Sequence, residues 1–223
     1  MSPLKRIVCL ANSWKLEERC IAGIDLDTGK WIRPVCDSLY PEDGRIPKPV
    51  RIVEGREPEL LDILGIPLAD TGNDFGFECE NLSVLNGQWQ YLGKAQPTDL
   101  LRYCSGFTYI LHNSWKYVNP SYLQNLPFQQ RRTLQLVQVV SFSVEQRTSS
   151  KGNSEWRGTI QAANGQRLAG AKITDPMFVK KLESGHQPKR NCLVTVSLSI
   201  PWAPPDWDGE DPCWKLIAGV IEI

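Results

Sequence analysis

Two Asp-Thr-Gly strings, Asp27-Thr28-Gly29 and Asp70-Thr71-Gly72, are the first residues in this sequence whose types could do chemistry. In aspartic proteases such strings bring two carboxylates together to share a proton, because like charges at ~3 Å do not both ionise. Here the strings lie only 43 positions apart, too close to belong to two separate lobes. Each reads as a turn in which Asp caps and Gly accepts a positive φ. The two histidines, His112 at the end of an apolar run and His186 in the loop ESGHQPKR, sit in unrelated contexts and form no HExxH pair. No CxxC or GxSxG occurs, and GIDLDTGK lacks the spacing of a P-loop. Residues 206–211 (DWDGED) alternate acids as a calcium loop does, without its glycine at six or its acid at twelve. They read as a solvated acidic turn that repels anions from one face. On these patterns no catalytic residue, metal ligand or cofactor is assigned.

Aromatic residues beside cations are the more informative pattern: Trp14-Lys15, Lys30-Trp31-Ile32-Arg33, Trp115-Lys116, Trp156-Arg157 and Trp214-Lys215. Single-stranded nucleic acid uses such pairs, with bases stacked on the ring and phosphates on the cation. The competing reading is that tryptophans in small barrels fill the core. On a strand, Trp31 and Arg33 share a face. Charge adds to the pattern, since residues 131–205 hold eleven Lys and Arg against four acids, +7 within a chain of 25 against 25. Such asymmetry steers anions toward one half, unless acids elsewhere fold back over it. Trp31, Arg33, Trp156, Arg157 and Lys172 are the candidate nucleic-acid-binding residues, with Lys151 in the tip SSKGNS poised to fold over a bound strand.

The elements that must position these side chains are short strands cut by turns. Residues 5–11, 19–26 and 30–35 read as a meander, the last two joined through Asp27-Thr28-Gly29. Further strands are expected at 50–53 and 60–68, and a hairpin over 82–92 around Asn86-Gly87. Short helical turns are expected at 97–104 and at 119–126. Residues 134–145 alternate at period two until Val139-Val140 breaks the phase, as at a bulge. Strands 155–162 and 166–174 flank Ala163-Asn164-Gly165. Asp175-Pro176 opens a short helix, PMFVKKLE, and strands 191–200 and 213–223 end the chain. The polar, proline-containing stretch NPSYLQNLPFQQRRT at 119–133 marks a boundary.

The fold class expected is all-β with a few short helices, as two OB-like small barrels at 1–125 and 131–223, with one mixed two-sheet sandwich as the competing architecture. KRIVCLANSWKLEERCIAGIDLDTGKWIRPV, WRGTI, AKITDP and WKLIAGVIEI together resemble prokaryotic proteins described as containing a dual OB-fold domain. That resemblance covers essentially the whole chain and implies two tandem OB-like barrels. By analogy with OB folds it also implies a nucleic-acid or nucleotide ligand.

The composition, 41% hydrophobic and 22% charged, is that of a folded chain and excludes disorder. No run approaches the ~18 apolar residues of a membrane span, and charges interrupt the N-terminus before a signal-peptide core forms. A cytoplasmic location is therefore expected. Seven scattered cysteines predict free thiols. The leading functional reading is non-enzymatic binding of single-stranded nucleic acid. Two others stay open: a protein-interaction module using 213–223 as an exposed edge strand, and an enzyme with an unfamiliar carboxylate site at Asp175.

Overall fold

The first strand of each half sets the architecture. The structure, a computed structural model, describes residues 4–148 and 152–223, and the chain divides into two compact units, Met1–Leu100 and Leu101–Ile223. In the first unit β1 (Leu4–Lys15) is apolar through Ile7–Ala11 and buried on both faces there. It pairs with β2 (Glu18–Asp25) along its length, while Leu4–Val8 also pairs with β4 (Asp62–Pro67). Past that double pairing Leu10 bulges, since Cys9 faces Gly23 and Ala11 faces Ala22. A bulge sharpens twist, which lets one strand pass from one sheet into the other. The β2 chain returns as β3 (Trp31–Val35) through Asp27-Thr28-Gly29, where the Asp25 carboxylate accepts from the Thr28 hydroxyl at 2.7 Å and the Asp27 amide at 3.1 Å.

The fifth strand of this unit is split. β5 (Asn81–Ser83) runs parallel to β3, Val84 bridges Leu68, and β6 (Gln90–Lys94) is antiparallel to β4. The sheet order β5-β3-β2-β1-β4-β6 therefore has the two pieces of one running strand at its two edges, which closes the sheet into a barrel. The hairpin expected at Asn86-Gly87 does not form. Between the pairs Leu68–Val84 and Gly65–Gln90 six steps on one strand face three on the other, so Asn86-Gly87 belongs to an excursion inside the strand. The strand expected at 50–53 is instead α1 (Lys48–Arg51), a single turn opened by proline. Its Arg51 guanidinium turns inward to Glu18, to the Ile46 carbonyl at 2.6 Å and to Glu57 at 2.9 Å. The core comprises Ile7, Ile21, Ile32, Leu64, Ile66 and Trp89 with their neighbours.

The second unit repeats the plan. β7 (Tyr117–Val118) and α2 (Pro120–Gln124) precede β8 (Leu134–Thr148), β9 (Ser154–Ala162), β10 (Arg167–Lys172), α3 (Pro176–Glu183), β11 (Cys192–Leu198) and β12 (Cys213–Glu222). The order is β10-β9-β8-β11-β12-β7. Ile173 bridges Ile217 in parallel, and the Thr174 amide donates to the Ile217 carbonyl at 2.8 Å, bringing the end of β10 to β12. Three strands, a helix and two strands, with the third and fifth in parallel contact, are the OB arrangement in both units. Val140 is the bulge expected from the phase break, with Val139 opposite Ala162 and Ser141 opposite Gln161. It sits, like Leu10, at the point where the first strand leaves its pairing with the fourth.

The compact units part after Leu100, whereas composition drew the line at 126–130. Residues 101–125 go with the second unit because β7 pairs with β12 through Val118–Cys213 and Tyr117–Trp214. That pairing also corrects the expected free edge, since β12 is flanked by β11 and β7. Asp175 proves to be the cap of α3. One carboxylate oxygen accepts from the Met177 and Phe178 amides at 3.0 and 3.1 Å, and the other from the Val220 amide at 3.0 Å. Burial pushes its pKa up against those three donors. Both carboxylate oxygens are engaged by backbone amides, so the place the sequence offered for an unfamiliar carboxylate site is a helix cap.

Candidate functional site

Alternation on three neighbouring strands builds a basic pocket on the outer face of the second barrel. On β9, Arg157 and Thr159 point to one side, and Gly158, Ile160 and Ala162 to the buried side. On β8 the outward set includes Glu145 and Arg147, and on β10 Arg167. These side chains, with Lys116 and Gly170, line a pocket of about 480 Å³. A second cavity, of about 580 Å³, lies in the first unit beside the split fifth strand, and its lining is mostly uncharged.

Gly170 shapes the basic pocket. Leu168 faces Ile160 and Ala171 faces Gly158, so β10 carries an extra residue, and Gly170 takes φ 63°. A left-handed conformation inside a strand suits glycine alone. The bulge aims the Gly170 amide at the Thr159 hydroxyl, 3.0 Å, and its carbonyl at the Arg157 Nη1, 3.1 Å. Arg157 Nε and Nη2 reach Glu155 at 2.7 and 2.5 Å, and Lys172 Nζ reaches the same carboxylate at 3.2 Å. Burial raises the Glu155 pKa, but the two cations outweigh it and hold the group below the ordinary carboxylate value. Arg147 pairs with Glu145 at 2.7 Å. Among the described residues Lys116 and Arg167 have no ion-pair partner. They are the uncommitted positive charge of the pocket.

An aromatic cluster adjoins it. The loop between β11 and β12 contributes Trp207, packed edge-on against Trp214 at 5.4 Å and against Tyr117 at 5.1 Å. Trp115 lies 6.4 Å from Tyr117. Indole donors fix the loop: Trp207 Nε1 to the Glu210 carbonyl at 3.1 Å, and Trp214 Nε1 to the Trp202 carbonyl at 2.7 Å. Trp115 is 66% exposed and Trp202 51%. Lys116 joins the two features, lining the pocket while its chain neighbours Trp115 and Tyr117 belong to the cluster. The acidic turn at 206–211 is mostly exposed, and its Glu210 accepts from the Ser121 amide and hydroxyl at 2.9 and 2.6 Å, tying the loop to α2. Among the described residues no group of three or more His, Cys, Asp or Glu is placed to hold a metal ion.

The five residues singled out from sequence separate into three environments. Arg157 and Lys172 meet at Glu155 beside the pocket. Trp156 turns the opposite way, half-buried on the inner side, with its indole N–H enclosed and without a partner among the described residues; its ring does not line the pocket. Trp31 and Arg33 lie in the first unit. Trp31 is half-buried opposite Ile24, and Arg33 is 2% exposed, its Nη1 on Glu78 at 2.7 Å and Asn81 at 3.2 Å. Burial works against the Arg33 charge, but Glu78 and Glu80 more than offset it and raise its pKa. Arg33 is a core counter-ion and is corrected from a phosphate contact. Lys151 lies outside the described residues. Lys116, Arg147, Arg167 and the loop tryptophans escaped the sequence reading as a set, although Trp115-Lys116 carried the same aromatic-cation signal.

No helix among the described residues is long and apolar enough to cross a membrane. Among curated proteins none matches the sequence. The topology of both barrels agrees with the family whose model, the dual OB-containing domain, matches residues 5–220, and the chain belongs to that family.

Proposed function

We propose that the second barrel binds single-stranded nucleic acid without altering it. The observation that carries this reading is the juxtaposition of Lys116 and Arg167, cations without an ion-pair partner among the described residues, with exposed Trp115 and Trp202 on and beside the loop joining the last two strands. OB folds take oligonucleotides on the face of strands two and three and on the adjoining loops, which are here β9, β10 and the β11–β12 loop. Stacking on an exposed ring contributes ~1–3 kcal/mol per base. Phosphates would meet Lys116 and Arg167 first, with Arg157 fixed behind them.

Fluorescence anisotropy with labelled single-stranded DNA and RNA at low salt tests the proposal. Binding should weaken steeply with added salt through counterion release. Lys116→Ala and Arg167→Ala should each lower the salt slope by about one phosphate contact. Trp115→Ala should weaken binding ~10-fold at unchanged slope. A folded protein that binds no oligonucleotide at tens of micromolar, or that binds identically in all three variants, would overturn the reading.

A further inference from the structure

Lys215 stands out in the second barrel as a buried cation that, among the described residues, has no ion-pair partner. On β12 it is 3% exposed and shares the inward face with Cys213 and Ile217. Its ammonium donates to the Ile110 carbonyl at 2.5 Å, the Asn113 carbonyl at 2.7 Å and the Asn113 Oδ1 at 3.0 Å. All three acceptors are neutral, and all belong to one short turn.

That turn is strained and leads directly to the candidate site. Leu111 and His112 take φ 47° and 62°, a left-handed pair without glycine, which persists only when its surroundings hold it. The Leu111 amide is held by Gln135 Oε1 at 2.7 Å and the His112 ring by the Arg132 carbonyl at 2.6 Å. Asn113 passes the restraint on: its Oδ1 also accepts from the Trp115 amide at 3.0 Å, and its Nδ2 donates to the Tyr117 carbonyl at 3.1 Å. The backbone amide of Lys215 adds a bond to the Lys116 carbonyl at 2.9 Å.

We infer that Lys215 is a proton-sensitive positioning residue: its charged amine, through Asn113, latches the segment that presents Trp115 and Lys116 to the ligand. This rests on the nucleic-acid reading for the ligand, but the latch itself is a property of the free protein. A charged ammonium has three donors for three acceptors, and a neutral amine has two, so loss of the proton releases one tether. Burial lowers the Lys215 pKa from 10.5 to about 7. The charged and titratable groups facing it are His112, coupled to it electrostatically and in turn to Arg132, and Lys116, joined to it through the backbone on the β7 side; β11 places the apolar Leu198 opposite. Burial lowers the His112 pKa, so His112 is the group from which Lys215 must be distinguished. By linkage, a ligand that prefers the latched segment takes up a proton on binding near neutral pH.

The test begins without ligand, by NMR of the wild-type Lys215 side chain and of the Asn113 and Trp115 amides between about pH 5.5 and 9. The expected result is one titration with a midpoint near 7 shared by Lys215 and both amides, retained in His112→Gln and absent in Lys215→Met. A Lys215 side chain that stays charged to about pH 9, or loop amides that titrate equally in Lys215→Met, would overturn the inference. The wild-type measurement stands even if the methionine variant fails to fold. Affinity for a labelled oligothymidylate should then fall ~3- to 10-fold across the same pH window in wild type and stay flat in Lys215→Met. Loop titration without oligonucleotide binding at any pH would leave the latch in place and sink the ligand reading alone; binding that is flat with pH despite loop titration would remove the coupling to the site.

Discussion

Arg33 and Glu78 meet at 2.7 Å inside the first barrel with 2% and 3% of their side chains exposed. Parallel pairing of β3 with β5 brings them together, since Arg33 sits opposite Asn81, three residues beyond Glu78. Removing one partner of such a pair leaves a charge without compensation in a low dielectric. Glu78→Gln should therefore cost ~3–5 kcal/mol in urea denaturation, whereas Arg33→Met with Glu78→Leu should cost much less. Equal losses in the single and double variants would show that shape, and not charge, holds this region.

Glu155 restrains the very cations that the proposed ligand needs. Glu155→Gln frees Arg157 and Lys172 from their shared carboxylate. The expected outcome is tighter oligonucleotide binding at low salt and a salt slope steeper by about one. Weaker binding would mean that the Arg157 geometry imposed by Glu155 matters more than its charge. A melting curve must accompany the titration.

Asp175 should act on stability alone. Asp175→Ala removes the cap of α3 and the bond to Val220, with an expected cost of ~1–3 kcal/mol. Lys172 lies three residues away on the pocket side, yet binding per folded molecule should not change. A specific loss of binding would give Asp175 a role that its hydrogen bonds do not suggest.

Lys215 gives the global stability a distinctive pH dependence. Its folded pKa of about 7 lies below the ordinary 10.5, so between those values the unfolded chain holds a proton that the folded chain has released. Stability must rise with pH across that window. Above about pH 9 the thiols of half-buried Cys79 and buried Cys192, pushed up to about 12, act in the opposite direction. The rise is therefore read between about pH 7 and 8.5, as the difference between wild type and Lys215→Met. Global stability climbs here while the turn at 110–113 loosens, a pairing of signs that general unfolding does not produce.

Much of the fold was legible because its signals are local. The Val139-Val140 phase break marks the bulge at Val140, and Asp175-Pro176 marks the cap of α3. Asn86-Gly87 misled because its partners are remote: β5 runs against β3 nearly fifty residues earlier, a pairing that no local pattern encodes. Arg33 and Trp156 were misplaced for a related reason. Alternation shows which residues share a face, but tertiary pairing decides which face is covered. The pocket stayed hidden because Lys116, Arg147 and Arg167 become neighbours only once the register of β8, β9 and β10 is set.

The two joints of the second barrel differ greatly in extent. β8 and β9 are zipped along nine residue pairs, while β10 meets β12 through the Ile173–Ile217 bridge and the Thr174 hydrogen bonds to the Ile217 carbonyl. Mechanically the barrel is a split ring with a narrow clasp. Such a ring widens at the clasp while its long ladders stay intact, and here the element next to the clasp is β10, which carries Arg167 and the Gly170 bulge. Breathing of this barrel is thus channelled to the wall of the pocket, so the pocket can change width without melting the core.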